Sequence, residues 1–544
     1  MSKPSINILS DPLNLLALAF LLIWGTLITF FRPIGGFGVE TDFYGDLVFY
    51  SRQWMDSGPN VMNGFRGPFY YILLGVLSKV FDAYAIGKVI SVLSATAGLV
   101  IFGRFVRTLW GPAMALAACL FLAANTTMLE YTYRAGTDLL FWLFVVSVVA
   151  LLLGREQPSL RRVAFAGLLA AFAYLTRYNG LALLPGGALG LLIAFGFSRK
   201  NWMRAGVFVA VWVLTVSPWA IYLWQQAGNP LWNKNFQNIA IEIYTASANL
   251  ATQGGFMSWV NFTSMGEVIR VDPSKFLLTI LANIPNHILR DAKDLVYWPW
   301  AIAAALGFMV AFRSWMQRRA LAFLVIGVIQ FVVLLPVFYN PRFMVPLLPW
   351  WAVAAAGLVL LVERFAAKPD AGSNPKKKGA KKKKARRLSA AMVAVLVVFG
   401  IPWAVMSARN FHAAISSSKH GGVPKEYLDL ADQVKKKRLV LNERTPIAAR
   451  KPHIGYLLGA PVIPIPVGGQ DELRNCGAHY ILASGVEAIA YPVFNNLMAP
   501  QSAEVIPRNL EFVAFGKHEM DATKTRVASL YRVKDPLPFE PRVQ

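Results

Sequence analysis

The chain has 544 residues, of which 56% are hydrophobic and only 15% charged, with a formal net charge of +25. Average soluble chains are roughly 45–50% apolar and about 25% charged, so this composition excludes a disordered protein, a collagen and a disulfide scaffold, and argues against an ordinary soluble enzyme. Mean hydropathy is +0.46. The two cysteines, Cys119 in an apolar run and Cys476 in a polar region, do not make a framework of bridges. So basic a soluble protein would point to nucleic acid. In a chain this apolar, the charge reflects basic loops on one side of a membrane, and no nucleic-acid partner is expected.

Uncharged runs set the layout. The first, Pro12–Phe31, is read as a retained span, because it is long and no small-residue cleavage site follows. Ten more follow at 89–103, 108–129, 139–154, 163–176, 178–198, 205–224, 295–312, 320–340, 343–362 and 388–408. A bilayer core needs roughly 20 apolar residues per helix, with about 17 the usual minimum. Three runs fall short (89–103, 139–154 and 163–176), but flanking charges such as Lys88 can snorkel to the interface. The expected fold is therefore mainly α and polytopic, with about eleven transmembrane helices over residues 1–408. No internal repeat is visible.

With the N terminus inside, the inner loops carry 23 Lys and Arg against 13 outside. This bias predicts a cytoplasmic N terminus in the inner membrane and, after eleven crossings, an external C terminus. Acidic residues before 409 show the opposite bias, with twelve outside and four inside. They set topology weakly, so their crowding on one face points to chemistry or binding there. The inner loop 364–387 contains a low-complexity basic run, 376–387, read as held to anionic lipid headgroups. The outer loops 32–88 and 225–294 carry stretches, Tyr70–Val80 and Phe276–Leu281, with the pattern of interfacial helices. Residues 409–544 have no spanning run. Short apolar segments at 439–441, 462–465, 480–483, 510–515 and 527–531 alternate with helix-like stretches, predicting an external α/β domain.

Candidate site residues cluster at the outer boundary. The first outer loop opens with Glu40-Thr-Asp-Phe-Tyr-Gly-Asp46, which contains Tyr44 and places Asp42, Asp46 and Tyr50 at helical spacing. A carboxylate beside an apolar wall holds its proton more tightly and can serve as a general base. The second outer loop contains Arg134 and Asp138. The third is only Arg177-Tyr-Asn-Gly180, and the fifth is Tyr339-Asn-Pro-Arg342. Three arginines and two carboxylates thus reach one boundary on different helices. Paired guanidinium donors suit a phosphate, so the convergence predicts a site for a membrane-borne anion, with Lys88, Lys79 and Arg66 adding charge. No phosphate-binding glycine loop stands in a strand–helix context, and no Cys/His cluster has zinc spacing. The six His are scattered, which argues against a His-based relay.

These residues carry a resemblance. Thr41-Asp-Phe-Tyr44, Arg66-Gly-Pro-Phe-Tyr70, Tyr133-Arg-Ala-Gly-Thr-Asp138, Ala173–Gly180 and Tyr339–Pro346 are similar, in order, to motifs of the integral-membrane glycosyltransferases of the C superfamily (GT-C). The branch is that of protein O-mannosyltransferases and the lipid A aminoarabinose transferase. The likeness spans residues 1–408, and the segment 450–456 looks like part of the external domain of some bacterial members. It implies transfer of a hexose or pentose from a polyprenyl-phosphate donor to a glycan, lipid or protein acceptor on the outer face. Asp42 matches the family's catalytic aspartate. Many members carry an adjacent Asp-Glu pair there, whereas this chain has Glu40-Thr-Asp42. Asp138 matches a second acid near the site.

On this reading Asp42 takes the acceptor proton, and Asp138 orients the acceptor or the base. Arg134, Arg177, Arg342 and Lys88 hold the donor phosphate, and Glu40, Asp46, Tyr44 and Tyr339 contact the acceptor or support the site. No cofactor or metal is required, although Glu40, Asp42 and Asp46 have the oxygen donors for Mg²⁺ or Mn²⁺. The alternative is a transporter or flippase of a lipid-linked or anionic solute. It would need ionisable residues near mid-bilayer.

Overall fold

The computed structural model describes residues 11–31, 43–58, 64–245, 262–361, 392–420, 425–442, 444–449, 453–463, 465, 477–490, 494–499, 506–521 and 524–536. In hydrocarbon the backbone must satisfy its own hydrogen bonds, so charge-free runs become helices. Among the described residues, six helices are long and apolar enough to cross a membrane: Pro12–Phe31, Ala83–Trp110, Tyr178–Phe195, Arg199–Ala227, Pro341–Leu361 and Met392–Ser416. Two bent pairs raise the number to eight. Pro112–Ala124 meets Thr126–Thr132 at 68°, and Pro273–Leu295 meets Trp298–Trp315 at 118°. The other expected runs are the helices Asp138–Leu153, Leu160–Thr176 and Arg318–Leu334, of 16, 17 and 17 residues. At ~1.5 Å per residue they reach about 24–26 Å, short of a ~30 Å core. Among the described residues, length and composition alone therefore support six to eight spans.

Helix boundaries follow local chemistry. Asp11 caps the first helix by accepting from the Leu13 N–H at 3.1 Å, with Pro12 in its first turn. Gly111, at φ +92°, ends Ala83–Trp110, and Pro112 starts the next helix at once. Only glycine takes that backbone without strain. Asn125 breaks the following span: its side chain accepts from the Met128 N–H at 2.9 Å and donates to the Leu295 carbonyl at 2.7 Å.

Small residues allow the helices to touch. A Cβ at Gly98 would lie 2.0 Å from the Trp142 ring, and one at Gly307 would lie 2.2 Å from the Ala354 carbonyl oxygen. Such contacts replace the hydrophobic drive that lipid cannot supply. Pro112–Ala124 is buried on all sides, whereas Arg199–Ala227 leaves Val213, Leu214, Ile221 and Trp224 exposed. Exposed apolar side chains on long apolar helices fit lipid as the solvent, and the chain is an integral membrane protein.

The first long loop forms the helices Phe43–Val48, Phe49–Ser57 and Phe69–Ser78. Tyr70, Tyr71 and Leu74 are buried against the bundle, while Ile72 and Val76 point out. The helix Pro273–Arg290 buries Asn283 and His287 but exposes Leu277, Leu278, Leu281, Ile284, Ile288 and Leu289, a pattern suited to lying along lipid.

The helix Ile401–His420 runs past position 408. Beyond it lie the helix Lys425–Lys436 and five strands: β1 Ile447–Ala448, β2 Val462–Ile463, β3 Tyr480–Ser484, β4 Leu510–Asp521 and β5 Lys524–Val533. Their order in one sheet is β2-β1-β3-β5-β4, with β1 parallel to β2 and β3, and β5 antiparallel to β3 and β4. The expected strand at 439–441 is absent. That segment follows Arg438, whose φ is +54°, and leaves Val440 80% exposed. With no neighbour to pair with, it stays irregular, and Ile447–Ala448 takes the place in the sheet. The helix His453–Leu458 rests against the first-loop helix Phe43–Val48.

Candidate active site

Three chain segments far apart in sequence meet around one carboxylate. Asp138 is the first residue of the helix Asp138–Leu153, where the partial positive charge of the helix end favours an anion. Arg177 follows the last residue of Leu160–Thr176 in an extended conformation, which turns its side chain away from the helix axis. Arg342 sits in the short helix Pro341–Met344, capped by Asn340, whose Oδ1 accepts from the Arg342 N–H at 3.0 Å.

The Arg342 Nε–H donates across both Asp138 oxygens, at 3.0 and 3.1 Å, and Arg177 Nη1 also donates to Asp138 Oδ1. Arg177 Nη1 is 3.4 Å from Thr137 Oγ1. The side chains are only 4% (Asp138), 13% (Arg177) and 12% (Arg342) exposed, so water screens this cluster little. The guanidinium of Arg177 lies 5.6 Å from the Phe343 ring, and that of Arg342 lies 6.0 Å from the Tyr131 ring. Arg66 acts electrostatically on both Asp138 and Arg177. Its neighbour Gly67 presses on the helix end: a Cβ there would lie 2.4 Å from the Leu175 carbonyl oxygen.

Arg134 joins from the turn before Asp138. Its Nη2 pairs with Glu130 at 2.6 Å, while Nε and Nη1 are buried and have no hydrogen-bond partner among the described residues. Lys88 is buried in Ala83–Trp110, with its Nζ 4.5 Å from the centre of the Tyr84 ring. Phe43 packs on that same Tyr84 ring at 5.8 Å. A Cβ at Gly87 would touch both the Phe43 ring and Ala135, at 2.7 and 3.0 Å. The start of the first-loop helix is thereby held beside the Arg134–Asp138 turn. Among the described residues, the Arg134 donors are left without partners here. Chemically, the arrangement can bind an anion and stabilise charge that grows on it.

Glu40 and Asp42 lie outside the described residues, and Tyr44 and Asp46 lie on the helix Phe43–Val48. Tyr339 belongs to a neighbouring cluster. Its hydroxyl donates to Asp291 Oδ1 at 3.0 Å, its ring lies 4.4 Å from the Arg290 guanidinium, and the His287 ring is 5.4 Å away. Asp291 and His287, both buried, were not among the sequence candidates. Asp291 is one of several acids in its loop, and nothing in the local sequence shows that Tyr339 comes to it. Among the described residues, no three His, Cys, Asp or Glu side chains gather as a metal-ligand set.

The fold is similar to that of ArnT from Cupriavidus metallidurans bound to undecaprenyl phosphate, with 15% identity, coverage of 95% of this chain and 97% of that one, and a TM-score of 0.57. It is also similar to the archaeal oligosaccharyltransferase AglB from Archaeoglobus fulgidus, in complex with an inhibitory peptide and a dolichol-phosphate. There the identity is 14%, the coverage 91% of this chain and 75% of that one, and the TM-score 0.54. No protein-family model and no curated protein matches the chain. At such identities the likeness is one of architecture. The chain has the fold of the GT-C integral-membrane glycosyltransferases.

Proposed function

We propose that the protein transfers a hexose or pentose from a polyprenyl-phosphate donor to a hydroxyl of a glycan, lipid or protein acceptor at the outer face of the membrane. The observation that carries this reading is the buried meeting of Arg177 and Arg342 on Asp138, beside the unpartnered donors of Arg134. In the reaction the acceptor oxygen forms a bond to the anomeric carbon as the bond from that carbon to the phosphate oxygen breaks. The acceptor proton passes to Asp42, and the bonding electron pair leaves with the lipid phosphate. Arg134, Arg177, Arg342 and Lys88 stabilise that growing charge. Asp138 holds two of the guanidiniums in place, which preorganises them before the donor arrives. Asp42 immediately precedes Phe43, whose packing beside Ala135 supports a base next to the arginines. The transmembrane helices supply the lipid tail with its solvent, so no nucleotide-binding fold is needed. The contact of the helix His453–Leu458 with Phe43–Val48 supports a bracing role for the C-terminal part.

The test is sugar transfer by purified protein supplied with labelled polyprenyl-phosphate sugars and an envelope extract. Asp42→Asn is expected to melt like wild type and to lose transfer by roughly 100–1000-fold or more, the scale of general base catalysis together with loss of site charge balance. Equal transfer by the two proteins would move the base away from Asp42. Failure of the wild type to bind any donor would sink the assignment.

A further inference from the structure

A second basic cleft lies at the other end of the same helices. Asp138 opens the helix Asp138–Leu153, whose 16 residues span about 24 Å, and the cleft begins around Gly154 just past its far end. It has a volume of about 470 Å³ and is bounded by Ala83–Trp110, Asp138–Leu153 and Leu160–Thr176. Arg104, Arg155 and Arg162 stand around it, whereas Ile101, Leu151, Phe165 and Leu169 line its apolar part. No carboxylate lines the cleft, and none of the three arginines forms an ion pair among the described residues. Arg162 Nη1 is buried with no hydrogen-bond partner among the described residues. Arg155 acts on Arg162 as a like charge. Arg104 has Asn14 as a polar partner at 3.4 Å and acts electrostatically on Asp11, whose carboxylate is held by Arg107.

Unpaired like charges beside a desolvated donor are unfavourable unless an anion joins them. Nearby Arg107 shows the contrast: it is neutralised by Asp11 at 2.5 Å. Phe165 and Leu160 are exposed next to the cleft, which leaves a path from lipid to the arginines. A free anion would satisfy the charges but not the apolar part. A lipid with a phosphate headgroup satisfies both.

We propose that the cleft formed by Arg104, Arg155 and Arg162 binds the phosphate headgroup of an anionic phospholipid, with an acyl chain against Leu151, Phe165 and Leu169. The site is distinct from the Asp138 cluster. On the expected orientation it opens to the inner leaflet.

The test uses full-length protein in detergent, with lipid binding followed by native mass spectrometry and by the shift in melting temperature. The probes are phosphatidylglycerol, phosphatidylcholine, and inorganic phosphate added with phosphatidylcholine. Wild type is expected to prefer phosphatidylglycerol. Arg155→Gln and Arg162→Gln are each expected to weaken that preference about fivefold, the worth of one basic residue at an anionic surface. Arg155 is exposed, so its variant folds even where Arg162→Gln does not. A chain with the lysines of 376–387 changed to glutamine keeps the preference if the cleft is the site. Equal binding of the two phospholipids by wild type, or an undiminished preference in Arg155→Gln, would overturn the proposal. So would full protection by inorganic phosphate, because the cleft would then read a free anion.

Discussion

Arg342 and Asp138, 204 residues apart in sequence, share a hydrogen bond in which one Nε–H is divided between both carboxylate oxygens. Arg177 completes the cluster from a third segment. Two helix ends and a capped turn are thereby tied at one point, so the interaction links global stability to the arrangement of the proposed phosphate site.

Removing one member of such a cluster strands the others in a poorly solvated place. Asp138→Asn is expected to cost about 3–5 kcal/mol, the scale for breaking a buried pair from one side. Arg342→Gln should cost less when added to Asp138→Asn than when made alone. A double-mutant cycle on thermal melting measures this coupling, expected at about 1–3 kcal/mol. Additive effects would show that the pair does not act as a unit.

Arg134 is different, because two of its donors have no partner among the described residues and its ion pair with Glu130 is partly exposed. An i,i+4 pair of this kind contributes only about 0.3–0.5 kcal/mol. Arg134→Gln should therefore melt almost as wild type does, yet reduce transfer roughly 100–1000-fold if those donors meet the phosphate oxygens. The measurement is kcat and KM for the lipid donor in a variant of confirmed fold. A large loss of stability with intact transfer would mean that Arg134 is structural.

The Tyr339 hydroxyl donates to Asp291. Tyr339→Phe leaves the buried Asp291 short of a donor, at a cost of about 1–3 kcal/mol. Asp291→Asn in the same chain should recover part of that cost. Tyr339 lies three residues before Arg342, and the helices Pro341–Met344 and Asp291–Leu295 are in contact. A fall in kcat that follows the disturbance of this turn, and that is partly rescued in the double variant, would mark Tyr339 as a positioning residue. An unchanged kcat would confine it to stability.

At the opposite end of the bundle, the guanidinium of Arg107 donates to Asp11 and holds its carboxyl below the usual carboxylate range. A lowered folded-state value means that the pair stabilises the protein above the unfolded value of about 4. That contribution is lost as pH falls through the lower folded value. It is expected to be about 0.5–1 kcal/mol, given the partial exposure of both side chains. Melting between pH 6 and pH 3 should show this loss in wild type and a smaller one in Asp11→Asn. Identical profiles would show that the pair is silent.

Much of this architecture is legible in the sequence because hydrocarbon imposes a local rule. A run without charge must be helical, whatever surrounds it, and the caps at Asp11, Asn125 and Gly111 are equally local. The site was legible in part for a related reason. Arg134, Asp138, Arg177 and Arg342 each sit at or near a helix end, and position along the chain is enough to expect them at one level.

Only the tertiary structure decides who pairs with whom at that level. Periodicity and loop length do not tell that Asp138 takes Arg342 and Arg177, that Arg134 pairs with Glu130, or that Tyr339 turns to Asp291. Those choices depend on which helices touch, and contacts such as Gly98 on Trp142 and Gly307 on Ala354 depend on shape across long sequence separations. The same holds for the sheet, where β1 has only two residues and exists because β2 and β3 flank it. Helices satisfy their backbones within a segment, so sequence alone determines them. A strand or a buried ion cluster is satisfied only by distant partners, and these are set by the fold.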